Sequence, residues 1–168
     1  SVGVQSTQDA VLRRLGRHHD AATALTALDA ALAVDGWTVN ADLIVAVEGQ
    51  DVAADLRAVA GRGVHHLAAY TLTIEPGTPF DRRGVTVDEE VERSALLTAG
   101  ELLPAYGLER YEVSNHARAG HRCTHNLAYW RGAHWFGVGP SATASLPVVD
   151  PGADPAGRRL CRNAELDA

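Results

Sequence analysis

Residues 39–47 (VNADLIVAV) constrain this chain more than any other stretch. The run is almost continuously apolar and too short for an ordinary buried helix, the pattern of a strand buried on both faces. Strands of that kind belong to parallel sheets covered by helices. The flanking sequence agrees. Strand-like segments stand at 1–5 (SVGVQ) and 66–74 (HLAAYTLTI). Between them come helix-like segments. One spans 9–15, with Val11, Leu12 and Leu15 on one face. A second is capped by Asp20, carries Leu25, Leu28 and Leu32, and stops at Gly36. A third spans 51–62, with Val52, Leu56, Val59 and Ala60 facing inward. Strand, helix, strand, helix, strand with short joins predicts right-handed βαβ units, and so an α/β fold with a parallel sheet. Ligands of such sheets sit at the carboxyl ends of the strands, where the sequence offers Gln5, Asp42, Thr71 and Thr73.

The character changes after Ile74. Residues 75–79 (EPGTP) read as a loop. Residues 88–106 read as a long helix with acids in its first turn, distorted by Pro104 and stopped by Gly107. Residues 108–114 read as a strand. The stretch 116–135 is rich in His, Arg and aromatic residues, and Gly137-x-Gly139-Pro140-Ser141 is a Gly-rich turn. The expected division is 1–80, 81–145 and a tail over 146–168. The tail's Pro, Gly, Asp, Arg and Ala composition predicts poor order. No internal repeat is present.

Composition narrows the class. The chain has 168 residues, 46% of them hydrophobic and 21% charged, as in globular proteins. A net charge of −6 leaves no electrostatic footprint for nucleic acid. No apolar run reaches the length of a membrane helix. Two cysteines make no disulfide framework, so a reducing cytoplasmic setting is expected. Methionine is absent, and every basic residue is Arg. The expectation is that this is part of a larger protein encoded by a GC-rich genome.

Two groups of residues could carry chemistry. His116, His121, Cys123 and His125, followed by Asn126, Tyr129 and Trp130, place metal-ligand types beside aromatic surface. This is open to three readings: a polar surface loop, a zinc site favoured by His and Cys but lacking a CxxC or HExxH pattern, and a haem site. If the stretch is extended, 121, 123 and 125 point the same way. The second group is dispersed: Gln5, Arg17 and Asp42. An amide, a guanidinium and a carboxylate converging above a sheet suit a zwitterionic, ribose-bearing ligand, but Asp42 and Arg17 also read as ordinary strand-end and surface residues.

Taken in order, the motifs carry a resemblance. They are Gly3-Val4-Gln5-Ser6, Leu15-Gly16-Arg17-x-His19, Asn40-x-Asp42-Leu43-Ile44, and Tyr70-x-Leu72-Thr73-Ile74-Glu75-Pro76-Gly77-Thr78-Pro79. Tyr111-Glu112-x-Ser114-Asn115, Gly120-His121-x-Cys123-x-His125-Asn126-x-x-Tyr129-Trp130 and Gly137-x-Gly139-x-Ser141-Ala142 follow. From Ser1 to about Ser145 the chain resembles the HemW-type haem chaperones, radical SAM proteins similar to oxygen-independent coproporphyrinogen III oxidases. The resemblance implies the later half of a partial (β/α) TIM-like barrel with an α+β C-terminal extension.

It also implies S-adenosylmethionine at Gln5, Arg17, Asp42 and Thr73. It implies haem at His125, Asn126, Tyr129 and Trp130, with His125 on the iron. A 4Fe-4S cluster belongs to the family, but its CxxxCxxC loop is not in this sequence, so no radical chemistry is expected of this chain alone. The implied partners are haem and haem-accepting apoproteins, with peripheral contact with membrane-bound haem proteins among them. The rivals are a coproporphyrinogen III dehydrogenase and a small metal-binding α/β domain using His116, His121, Cys123 and His125. The family's Gly-Leu-Pro-Gly-Gln turn is replaced here by Ala46-Val47-Glu48-Gly49-Gln50, which loses a Pro-fixed turn.

Overall fold

Three parallel strands form the centre of the chain in a computed structural model that describes residues 1–139, 142–147 and 158–162. They are β1 (Val2–Gln5), β2 (Asn40–Val45) and β3 (His66–Thr71), in that spatial order. Helices α1 (Asp9–Arg14) and α2 (Ala21–Leu32) join β1 to β2, and α3 (Val52–Ala60) joins β2 to β3. The βαβ expectation is therefore met. Asp20 caps α2 by accepting from Thr23 N, and Asp51 caps α3 by accepting from Ala54 N.

Strand alternation divides the sheet into two faces. Val4, Ala41, Leu43, Val45, Leu67 and Ala69 point to the helices, where Leu28, Leu56, Val59 and Ala60 complete the core. Each of these leucines is fully buried, which contributes about 1.5–3 kcal/mol apiece. Gly3, Asn40, Asp42, Ile44, His66, Ala68 and Tyr70 occupy the opposite face by the same alternation.

Helices α4 (Pro79–Arg82) and α5 (Glu89–Leu102) follow, and α5 tightens into a 3-10 turn at Leu103–Tyr106. That turn carries Pro104, and Gly107 ends it at φ 74°. The short α4 begins at the last residue of the stretch read as a loop; Thr78 caps it with Pro79 at its start. The single strand expected over 108–114 is instead a bent hairpin, β4 (Glu109–Arg110) and β5 (Asn115–Ala117), with β5 antiparallel to β3. Its bend is held by Tyr111 N donating to Asn115 O (3.1 Å) and by Arg110 donating to the carbonyls of Glu112 and Val113.

The chain divides into two compact units, Ser1–Arg122 and Cys123–Ala168. The second contains α6 (Thr124–Trp130) and an antiparallel pair, β6 (Thr143–Pro147) and β7 (Arg158–Arg162). Arg158–Arg162 is thus a strand within the tail that composition marked as poorly ordered. Backbone pairing with β6 supplies what that sequence lacks in periodicity. Pro140, Ser141 and the rest of the tail lie outside the described residues. Among the described residues, no helix is long and apolar enough to cross a membrane.

Candidate functional site

The ends of β1 and β2 are the most constrained backbone in the first unit. Gln5 closes β1 at φ 65°, and Ala46 follows β2 at φ 65°, a region that non-glycine residues rarely enter. Around Gln5, Ser6 N donates back to Val4 O (2.8 Å), making a three-residue turn. Around Ala46, the Gln50 side chain bridges the strand end: its Nε2 donates to Ile44 O (2.9 Å) and its Oε1 accepts from Val47 N (3.1 Å). The turn that lacks the family's Pro is fixed by this amide. Left-handed backbone held by its surroundings is typical of ligand sites. Ala46→Gly is expected to stabilise the protein by about 1 kcal/mol in urea unfolding, by relieving the left-handed strain.

Both turns converge on Asp55, a fully buried carboxylate on α3. It accepts from Ser6 Oγ (2.7 Å), Thr7 N (2.7 Å), Thr7 Oγ1 (2.5 Å) and Gln50 Nε2 (2.7 Å). Sequence reading missed it, although an acid three residues after Val52 on the apolar face of a helix was the available signal.

Asp42 pairs with Gly3 across β1 and β2. It is the third residue of β2 and not a strand-end group as the sequence suggested. Its position in the side-chain alternation sets it on the face opposite the core. The Ser1 hydroxyl and Asn40 Nδ2 (2.8 Å) donate to its carboxylate. The Gln5 amide folds back over Gly3: a Cβ at position 3 would stand 2.7 Å from Gln5 Nε2. Glycine there lets the amide lie above the residue paired with Asp42. Arg17 is exposed, and no hydrogen bond or ion pair joins it to Gln5 or Asp42 among the described residues. Thr73 is exposed two residues past the end of β3, because that strand stops at Thr71 instead of reaching Ile74. A cavity of about 600 Å³ opens beside the ends of β2 and β3, between Leu15, Ala46, Val47, Leu72, Phe80 and Val85.

The Asp42 face continues as a row of polar side chains. Asn40 and His66 are cross-strand partners, and Asn40 Oδ1 accepts from His66 Nδ1 (2.6 Å). His66 Nε2 meets Tyr111 Oη at 2.8 Å. Burial lowers the His66 pKa, against the pull of Asp42 and Glu112, and so favours the neutral ring. Burial and the Asp42 charge raise that of Tyr70 on the same face.

In the second unit, residues 124–130 are helical, not extended. Cys123 is the N-cap, and His125 and Tyr129 fall one turn apart on one face. Their rings meet edge-on with centroids 4.7 Å apart. Tyr129 also stacks on Trp135 at 4.2 Å and 35°, so Trp135, which sequence reading passed over, extends the group. Asn126, next in sequence, is rotated about 100° around the helix from His125 and makes no hydrogen bond to it. Trp130 is 62% exposed. His125 is exposed too, leaving an imidazole backed by aromatic surface.

The metal-binding rival loses its cluster. His116 lies on β5 and is 1% exposed. His121 meets Thr38 Oγ1 (3.0 Å) and the His65 ring (4.6 Å). Among the described residues, no group of three or more His, Cys, Asp or Glu could hold a metal ion.

No protein-family model matches the chain. Curated relatives do. The heme chaperone HemW of Synechocystis sp. is 38% identical over 157 residues, covering 87% of this chain and 37% of that protein. That of Mycobacterium tuberculosis is 38% identical over 158 residues, covering 89% and 40%. That of Escherichia coli K12 is 35% identical over 154 residues, covering 89% and 41%. Among solved structures, coproporphyrinogen III oxidase (HemN) from Escherichia coli, described as a radical SAM enzyme, matches with a TM-score of 0.66 and 20% identity. It covers 84% of this chain and 37% of that one. That likeness shows the fold: the described α/β architecture is part of the one seen in HemN. The chain spans about two-fifths of the length of the curated relatives it matches. Over most of its own length the chain is similar to curated heme chaperone HemW proteins.

Proposed function

We propose that this chain supplies the haem-binding segment and part of the S-adenosylmethionine site of a haem chaperone. The observation that carries the haem reading is α6, which puts His125 and Tyr129 on one face with Trp135 stacked behind. Haem is cargo in this reading. His125 offers an exposed imidazole nitrogen to the iron, and the aromatic rings offer flat apolar surface to the macrocycle. Tyr129, whose ring meets that of His125, is the residue proposed to orient the imidazole, not Asn126. Haem-accepting apoproteins, including membrane-bound ones reached from the surface, are the proposed recipients.

The S-adenosylmethionine reading rests on the first unit, within the proposed barrel portion 1–80; residues 81–145 are the proposed extension. Gln5 and Asp42 fit the ligand: a strand-end amide stands beside a carboxylate that can accept from an amine or hydroxyl. Arg17 and Thr73 are proposed to reach the same ligand from exposed positions, Arg17 gripping its carboxylate. Bound there, S-adenosylmethionine would supply a sulfonium-linked adenosyl group. A radical SAM cluster does not fit this chain, because it takes three cysteinates and the sequence holds only Cys123 and Cys161.

Haem titration tests the proposal. His125→Ala is expected to weaken haem binding at least tenfold and to shift the Soret band, while His134→Ala, an exposed neighbour outside the group, stays near wild type. Equal binding by both variants would remove His125 as the ligand.

A further inference from the structure

We infer that His66 is a positioning residue for the S-adenosylmethionine site, fixing the Asn40 carboxamide so that its N–H group holds the Asp42 carboxylate toward the ligand. The inference rests on the reading of Asp42 as a ligand contact. Its own support is the row itself. Asn40 Nδ2 donates to Asp42 Oδ1 at 2.8 Å, so the Asn40 oxygen faces the other way and accepts from His66 Nδ1 at 2.6 Å. An amide oxygen only accepts, so Nδ1 carries a proton, and in the neutral ring that burial favours Nε2 does not. Nε2 then accepts from the Tyr111 hydroxyl at 2.8 Å. Each group in the row has its direction set by the next, as with residues that orient ligating side chains elsewhere.

Parallel register places the row where it is. Asn40 and His66 are direct partners on β2 and β3, and Asp42 follows Asn40 on the same face. Tyr111 comes from the bend of the β4–β5 hairpin, so the hairpin reaches the site through His66. His66 is 5% exposed and is therefore no ligand contact itself. Its effect passes through Asn40: Ser1 Oγ accepts from the amide nitrogen at 2.6 Å on one side, and the His66 N–H holds the amide oxygen on the other, turned away from Asp42.

The test is equilibrium dialysis of S-adenosylmethionine with the protein at its natural full length, together with nitrogen-15 NMR of the histidines. Asp42→Ala should weaken binding at least tenfold; no change there overturns the site reading itself. With Asp42→Ala impaired, His66→Phe should weaken binding about tenfold. His66→Asn keeps an N–H near the Nδ1 position and should return affinity to within about threefold of wild type. Tyr111→Phe should weaken binding by about threefold. Equal loss in His66→Phe and His66→Asn marks a merely structural residue and overturns the inference, as does wild-type affinity in His66→Phe. If His66→Phe does not fold, the NMR spectrum of the unaltered protein decides: an Nδ1–H tautomer at His66 supports the inference, and an Nε2–H tautomer overturns it.

Discussion

Asp55→Ala is expected to destabilise the protein by about 3 kcal/mol, because it strips neutral donors of their shared buried acceptor. Asp55 has no solvent exposure, and four donors from two loops point at it. A carboxylate is an acceptor only, with room for all four. Truncation leaves the buried Ser6 hydroxyl and the Thr7 and Gln50 N–H groups without their acceptor. Each unsatisfied buried group costs about 1–3 kcal/mol, and a small cavity adds to the loss. Urea unfolding with an unchanged m-value would report it as a lower midpoint. Asp55→Asn should lose less, about 2 kcal/mol, since one oxygen survives while the new amide N–H₂ faces donors. A loss below about 1 kcal/mol for Asp55→Ala would mean that water or a rearranged loop satisfies the orphaned groups, and that Asp55 does not tie the two strand ends together.

The same residue shows where the sequence stops being informative. Strand and helix order was legible because each segment obeys one local rule: the apolar run at 39–47, the Asp20 cap, the distortion at Pro104 and the stop at Gly107. Helical period was also enough to place Val52, Leu56 and Val59 inward. Asp55 sits on that inward face, yet nothing local says which donors will meet it, because Ser6 and Thr7 are nearly fifty residues away. The Asp42–Asn40–His66–Tyr111 row is non-local in the same way. It needs the register of β2 against β3 and the bend between β4 and β5, and that bend was read as a continuous strand.

The conformation of the second group was misread for a different reason. The alternation His121-x-Cys123-x-His125 suggested an extended segment, whereas the four-residue spacing of His125 and Tyr129 is the one the backbone follows. With that period, the neighbour of His125 changes from Asn126 to Tyr129. Family resemblance named the segment without its conformation, so it could list Asn126, Tyr129 and Trp130 but could not rank them. Trp135 lay outside the motif and joins through stacking alone.

A pH titration of stability offers the second large effect, and it concerns His116, which neither proposed site uses. The side chain faces Leu67 and Arg110 across the sheet, and both ring nitrogens are buried without a partner. Burial, with the Arg110 cation behind it, pushes its pKa down to about 4, against 6.5 for an unhindered histidine. The folded state therefore refuses a proton that the unfolded chain accepts. The stability linked to this group is fully present above pH 6.5. It falls as acid is added through the window from 6.5 to about 4, and the difference in pKa corresponds to about 3 kcal/mol. His65 and His66, whose pKa values burial also lowers, add to the slope with the same sign. His116→Phe keeps a flat ring and removes the two orphaned nitrogens. It should leave stability at pH 7.5 unchanged or raise it by about 1 kcal/mol, because no hydrogen bond is lost. Between pH 6.5 and 4 its unfolding free energy should fall less steeply than wild type, by about one proton's worth of slope. An identical slope in both proteins would show that His116 takes up its proton in the folded state, through an opening of the β4–β5 hairpin that lets water reach the ring.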